Sequence, residues 1–327
     1  MRRHHLASAL AVLALGAMLA LGATMAARAQ SYPSHPVRII VGFAAGSGPD
    51  VLARTVAADL TVQFGQQFFV ENRPGANGTI GTQVVVSAEP DGHTLLFSSS
   101  SIAPTPYVYK HLAYDLTRDL APVATVGILD GYLMLVNPAT PVRTAGEFID
   151  YAKRNRLLYG SPGVGNILHL VTELFRIKAG IALDHIPYKG ASEVSTALLG
   201  GSIQVMFVTP PSVLALVKGG QLRAIAYTGA KPFAELPDIP LIRDTLPGFS
   251  VPGSWGMFYA PAKTPGAIVD RLNAAVQHAL QVPAVANVTR TAGYVPDGRS
   301  AAQTAEFFRQ QVEAAGEAVR AAGIQPN

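Results

Sequence analysis

The chain contains no cysteine. That excludes disulfides, thiolate metal sites and a cysteine nucleophile. No Gly-Lys pair occurs anywhere, so no P-loop is present. The patterns G-x-S-x-G and S-x-x-K are absent, which removes the usual local signatures of a serine hydrolase. H-E-x-x-H is absent too, and no pair of histidines has metal-ligand spacing. No metal and no cofactor are therefore expected. Apart from one N-terminal run, no stretch is long and apolar enough to span a membrane.

That N-terminal run reads as a secretory signal peptide over residues 1–29. Arg2 and Arg3 give a basic start, Leu6 to Met25 is an uncharged Leu/Ala-rich stretch, and Ala27-Arg28-Ala29 is a small-x-small cleavage site. The other reading is an uncleaved anchor. Removing the segment takes away three arginines and no acid. The mature chain then carries 22 basic and 21 acidic residues, a net charge of +1. The high isoelectric point is thus partly a targeting feature and does not point to nucleic acid. The remaining 298 residues must be held by a core alone, and that length suggests two lobes.

What is present is organised around Val37 to Leu60. Val37-Arg38-Ile39-Ile40-Val41 is a β-branched run suited to a buried strand. Gly42 to Asp50 is small and glycine-rich. Val51, Leu52, Val56 and Leu60 then fall on one helical face. Strand, glycine loop and helix start aim free backbone N–H groups at one point, which suits an anion. The loop lacks the third glycine of a dinucleotide fingerprint. Two readings fit it: carboxylate capture by N–H groups from Phe43 to Gly48, or a plain tight turn. Asp50 in the first helical turn either compensates the helix dipole or orients the loop, a water or a ligand N–H.

The same pattern returns about 120 residues later. Leu157 to Gly160 is a short strand, Gly160 to Asn166 a second glycine loop, and Ile167 to Lys178 a helix. Ser161 offers a hydroxyl, with Asn166 and His169 just beyond. A loop in each half favours capture over two unrelated turns. Strand-helix alternation elsewhere implies α/β lobes with mixed, mostly parallel sheets. Thr144 with Glu147, and Ser300 with Gln303, read as capping boxes. Residues 131–253 are expected to form a second lobe inserted into a first one made of 30–130 and 254–327. Ser98 to Ser101 at a strand end, which could offer hydroxyls, and Tyr188-Lys189 after another strand stand where ligands gather in α/β sheets. For Lys189 a solvated turn is the competing reading. His169 reads as a helix-packing residue, and Trp255 and Tyr259 as core, with Trp255 able to line a cleft.

Tyr32-Pro33-x-x-Pro36-Val37-Arg38 opens a longer set of motifs. It continues through Val70-Glu71-Asn72-Arg73-Pro74-Gly75-Ala76, Gly78-Thr79-Ile80-Gly81 and Pro90-Asp91-Gly92-x-Thr94-Leu95-Leu96. Val136-Asn137-Pro138, Tyr159-Gly160-Ser161-Pro162-Gly163, His185-x-Pro187-Tyr188-Lys189-Gly190 and Leu236-Pro237-Asp238-Ile239-Pro240 complete it. The set resembles the Bug family, the TctC-like solute receptors of tripartite tricarboxylate transporters, across the mature chain. The resemblance implies a periplasmic Venus-flytrap receptor of type II-like fold, with one cleft between lobes. It implies that both loops pinch a ligand carboxylate, partly through ordered waters. Carried over, the contacts are Phe43, Ala44, Gly46, Ser47, Gly48 and Asp50, then Ser161, Gly163 and Gly165.

The partners implied are a small organic acid and two integral membrane subunits; a monomer is expected. Two departures stand out. The first loop has a thinner proline/glycine run than the family's and no Thr before Asp50. Val208 stands where relatives often have Asp after the strand Val205-Met206-Phe207, which disfavours an ammonium group and points to a simple or aromatic carboxylate. Two rival functions remain: a periplasmic hydrolase or isomerase using His169 beside Ser161, and a ligand sensor for a membrane kinase.

Overall fold

The computed structural model describes residues 32–251 and 253–326. The expected signal peptide lies outside them. Strand β1 (Val37–Val41) is the buried run read from the sequence, and its side chains fill both sides of a five-stranded sheet. The order of that sheet is β2-β1-β3-β10-β4, with β2 Phe68–Asn72, β3 Thr94–Ser99, β4 Leu120–Leu129 and β10 Ser254–Pro261. β1 runs parallel to β2 and β3, with Ile39 level with Val70 and Leu95. β10 runs antiparallel to β3 and β4, with Phe258 opposite Phe97.

The second sheet has the order β7-β6-β8-β5-β9. Its strands are β5 Leu133–Val136, β6 Leu157–Ser161, β7 Leu183–Pro187, β8 Val205–Val208 and β9 Arg223–Tyr227. β6 is parallel to β7 and β8, while β5 is antiparallel to β8 and β9. Each sheet is thus mixed, with two parallel and two antiparallel pairings. The antiparallel part of the first sheet comes from β10, which re-enters it after the chain has built the second.

The helix after β1 spans Gly48–Phe64 and buries Leu52, Val56 and Leu60 with Ala53 and Ala57. Val51 is exposed, off the face it was expected to share, because at about 100° per residue it is turned away from the stripe of Leu52, Val56 and Leu60. Trp255 is core: it is 1% exposed and meets Phe308 edge-on at 5.9 Å. Both bonds of the Ser300/Gln303 capping box form. At Thr144 only half of the box forms, since Glu147 accepts from the Arg143 N–H instead of returning to Thr144.

The chain crosses between the sheets at neighbouring places. Thr228 N–H donates to Tyr132 O at 3.0 Å, and Tyr132 N–H donates to Thr228 Oγ1 at 2.8 Å. The C-terminal helix, Ala301–Ala321, supplies a further link. Its Phe308 and Val312 pack with Trp255 and Tyr259, while Val319 joins the core of the second lobe. No helix among the described residues is long and apolar enough to cross a membrane.

Candidate ligand-binding cleft

The first loop is held from within by a carboxylate. Asp50, 2% exposed, accepts Gly46 N–H at 2.8 Å, Arg54 Nε at 3.0 Å and Asn72 Nδ2 at 2.8 Å. Burial pushes its carboxyl up, but the bonds from Arg54, Gly46 and Asn72 outweigh burial and keep its pKa below the usual carboxylate range. Asn72 also donates to Phe43 O at 3.0 Å, so both ends of the loop are pinned. Gly46 takes φ 78, where glycine is at ease. Its N–H is committed to Asp50, and Ser47 N–H to Ala44 O. Among the described residues, the N–H groups of Ala44, Ala45 and Gly48 make no bond, and all three residues are exposed.

The second loop is held from beneath. Ser161 is fully buried, with Oγ 2.7 Å from His185 Nε2 and 3.1 Å from Gly163 O. Gly165 N–H donates to His169 Nδ1 at 3.1 Å. Tyr159, His185 and His169 form a stack, with ring centroids 4.8 and 4.2 Å apart. Tyr159 Oη donates to Glu173 Oε1 at 2.6 Å, and Arg176 pairs with Glu173 at 2.7 Å. Burial, helped by His169, pulls the His185 pKa down to about 4, and burial lowers that of His169 as well. Both rings are therefore neutral at pH 7. Asn166 caps the Ile167–Ala179 helix through Leu168 N–H at 3.0 Å. Gly163 N–H, Val164 N–H and Ile167 N–H make no bond among the described residues.

The two loops face one interface. A Cβ on Gly42 would lie 2.6 Å from Gly78 Cα, so only glycine lets the first loop close on the turn Ala76–Gly78. From that turn Asn77 Nδ2 donates to Val164 O at 2.9 Å, inside the second loop. Asn166 Nδ2 reaches Asn77 Oδ1 at 3.4 Å and Ser101 Oγ at 3.3 Å.

Around this centre the remaining candidates sit as follows. Phe43 is half-buried against the Gly78 turn. Ser47 caps its helix in extended conformation without a side-chain bond. Ser98 is buried within β3 with its hydroxyl unbonded, and it is Ser101 that meets the second loop. Tyr188 N–H donates to Ser161 O at 2.9 Å. Lys189 is exposed, its N–H bonded to Glu193. Val208 packs in an apolar cluster with Leu133 and Val213, so this position does not present its side chain to the loops. Ser101 lies within the serine run named as a candidate, whereas Asn77 and His185 were not among the site candidates. The turn residues around Asn77 gave a local signal for a loop, and none for what that loop would touch.

Other grouped side chains have different work. A cavity of about 430 Å³ lined by Tyr107, Tyr109, Tyr114 and Arg309 lies beside the C-terminal helix and takes no lining residue from either loop. His35, Asp91 and His93 bring ligand-type atoms within 4.8 Å of one another. His93 Nε2 already accepts Ser34 N–H at 3.1 Å, which puts the neutral ring's proton on Nδ1, facing Asp91 at 3.4 Å. No lone pair is left on that ring for a metal, and with His35 stacked on it at 3.7 Å the trio packs the lead-in segment before β1.

Two α/β lobes joined at adjacent crossings, each turning a glycine loop to the same interface, define a two-lobed solute-binding receptor. The chain belongs to the tripartite tricarboxylate transporter receptor family, whose model matches residues 52–324. It is 33% identical to the protein BugT of Bordetella pertussis, over 91% of this chain and 92% of that one. The resemblance read from the motifs therefore holds. Among solved structures, R. palustris Rpa4515 with adipate is 30% identical, with a TM-score of 0.85 over 90% of this chain and 100% of that one. MatC from Rhodopseudomonas palustris with bound malate is 28% identical, with a TM-score of 0.79 over 88% of this chain and 100% of that one. The family is one of periplasmic receptors, not enzymes.

Proposed function

We propose that this protein captures a small organic acid in the periplasm and hands it to the two integral membrane subunits of a tripartite transporter. Residues 1–29 direct export; residues 30–130 with 254–327, and residues 131–253, are the two bodies that close, and the receptor works as a monomer. The observation that carries the reading is the pair of glycine loops on one interface, each with unbonded N–H groups. Charge-assisted hydrogen bonds contribute about 1.5–3 kcal/mol each. Four or five from both loops suffice for the roughly 8 kcal/mol of a micromolar complex, after the cost of ordering. Ala44, Ala45, Gly48, Gly163 and Val164 act as direct donors. Gly46, Asp50, Ser161 and Gly165 hold the loops in shape.

The named carboxylate beside the loops, Asp50, already has three partners. An ammonium group would find no free acid there. The ligand is therefore a carboxylate without an amino group, consistent with the adipate and malate bound by the two structural relatives. Calorimetry of the mature protein with adipate, malate, aspartate and glutamate tests this. Binding of a plain acid and silence with the amino acids is expected. Tight binding of aspartate or glutamate alone would contradict the ligand class, and no response to any acid would contradict the capture reading.

A further inference from the structure

Asn77 stands in left-handed backbone, φ 55 and ψ 30, and its neighbour Ala76 has φ 46. Residues with a Cβ hold such angles at a cost, asparagine more readily than most. Strain of this kind persists where the surroundings enforce it. The hydrogen bonds of this carboxamide all leave its own turn. Its nitrogen donates to Val164 O at 2.9 Å and to Tyr109 Oη at 3.1 Å, and its oxygen accepts from Asn166 at 3.4 Å. Val164 and Asn166 belong to the second loop. Tyr109 follows a short helical segment, Thr105–Val108, that packs in the core of the second lobe, with Val108 against Gly165. One amide therefore ties the first lobe to the loop that faces it. The Thr228–Tyr132 bonds lie at the chain crossings, where hinge rotation leaves partners together. The Asn77 bonds instead join the first-lobe turn at residues 76–78 to the second loop.

We propose that Asn77 is the latch of the closed state, a positioning residue that sets how long the cleft stays shut without touching the ligand. The inference deepens the solute-capture reading and rests on it. Observed affinity scales with the fraction of molecules in the binding-competent form. Loss of the latch raises the opening rate, so it acts on dissociation more than association.

Two variants separate latch from strain. Asn77→Asp keeps size and tolerance of the left-handed region, loses both donors and sets a charge against the Val164 carbonyl. Asn77→Gly removes the side chain and relieves the backbone. The readouts are the radius of gyration of the ligand-free mature protein by small-angle scattering, the dissociation rates of adipate and malate, and the melting temperature. Both variants are expected to show a larger radius and dissociation about tenfold faster, the effect of one lost bond. The Gly variant is expected to melt no lower than wild type, which a merely structural role would not allow. Radii and dissociation rates equal to wild type in the Gly variant would overturn the latch. If wild type binds neither acid, the capture reading fails, and the radii still decide the latch.

Discussion

The hydroxyl of Ser161 lies within bonding distance of both His185 Nε2, at 2.7 Å, and the Gly163 carbonyl, at 3.1 Å. One hydroxyl proton serves one acceptor. Both contacts are satisfied when His185 carries its proton on Nε2 and donates to Oγ, while the hydroxyl donates to Gly163 O. That arrangement stiffens the second loop. It also leaves no basic nitrogen facing the serine, so the pair is not a nucleophile with its base. His169, the base a hydrolase would have needed, accepts Gly165 N–H instead.

Ser161→Ala removes the support under Gly163 and leaves His185 Nε2–H without its acceptor. Carboxylate affinity measured by calorimetry should fall about tenfold, the loss of roughly one charge-assisted bond. An unchanged dissociation constant would take Ser161 out of the loop's support.

Asp50→Ala leaves Gly46 N–H and the Asn72 amide without their shared acceptor in a site that is almost closed to water. Urea unfolding should show a loss of about 2 kcal/mol, typical of hydrogen bonds to a charged group. Arg54 is half-exposed, so its pairing adds little. Asp50→Asn keeps one acceptor oxygen and should retain part of the stability. Equal stability of all three proteins would show that the loop holds its shape by other means.

Acid should weaken the fold through the buried histidines. The His185 pKa falls from its ordinary 6.5 to about 4, chiefly by burial and then by His169; Glu173 opposes this. Glu173 and Arg176 are the charged groups facing the stack. Between those two pH values the unfolded chain binds more protons than the folded one, so stability rises with pH across the window and is lost on acidification. The melting temperature should drop from pH 7 to pH 4.5, and His185→Gln should flatten that drop. A wild-type profile that is flat over this range would contradict the assignment.

Much of this was legible because the signals are local. The β1 run, the first glycine loop and the Ser300 capping box depend on residues within a few positions of one another. The same locality explains what was hidden. Asn77 and Val164 are 87 positions apart, and nothing near either names the other. His185 lies 24 residues from Ser161, and they meet because β6 and β7 pair in parallel with Ser161 level with Pro187. The direction of β10 follows from how the chain returns between sheets, which strand-helix alternation does not encode. The reading of Val208 as a cleft position took a strand end for an open one, whereas its side chain points into the apolar cluster under the second sheet.

The central claim is that loops from both lobes hold one carboxylate between them. Mass spectrometry of the mature protein, first intact and then after release of its small molecules, tests it most directly. One organic acid per chain is predicted, retained by wild type and lost from Ser161→Ala and Asn77→Asp on gentle washing. A co-purifying molecule with no carboxylate, or an acid held as firmly by both variants as by wild type, would contradict it.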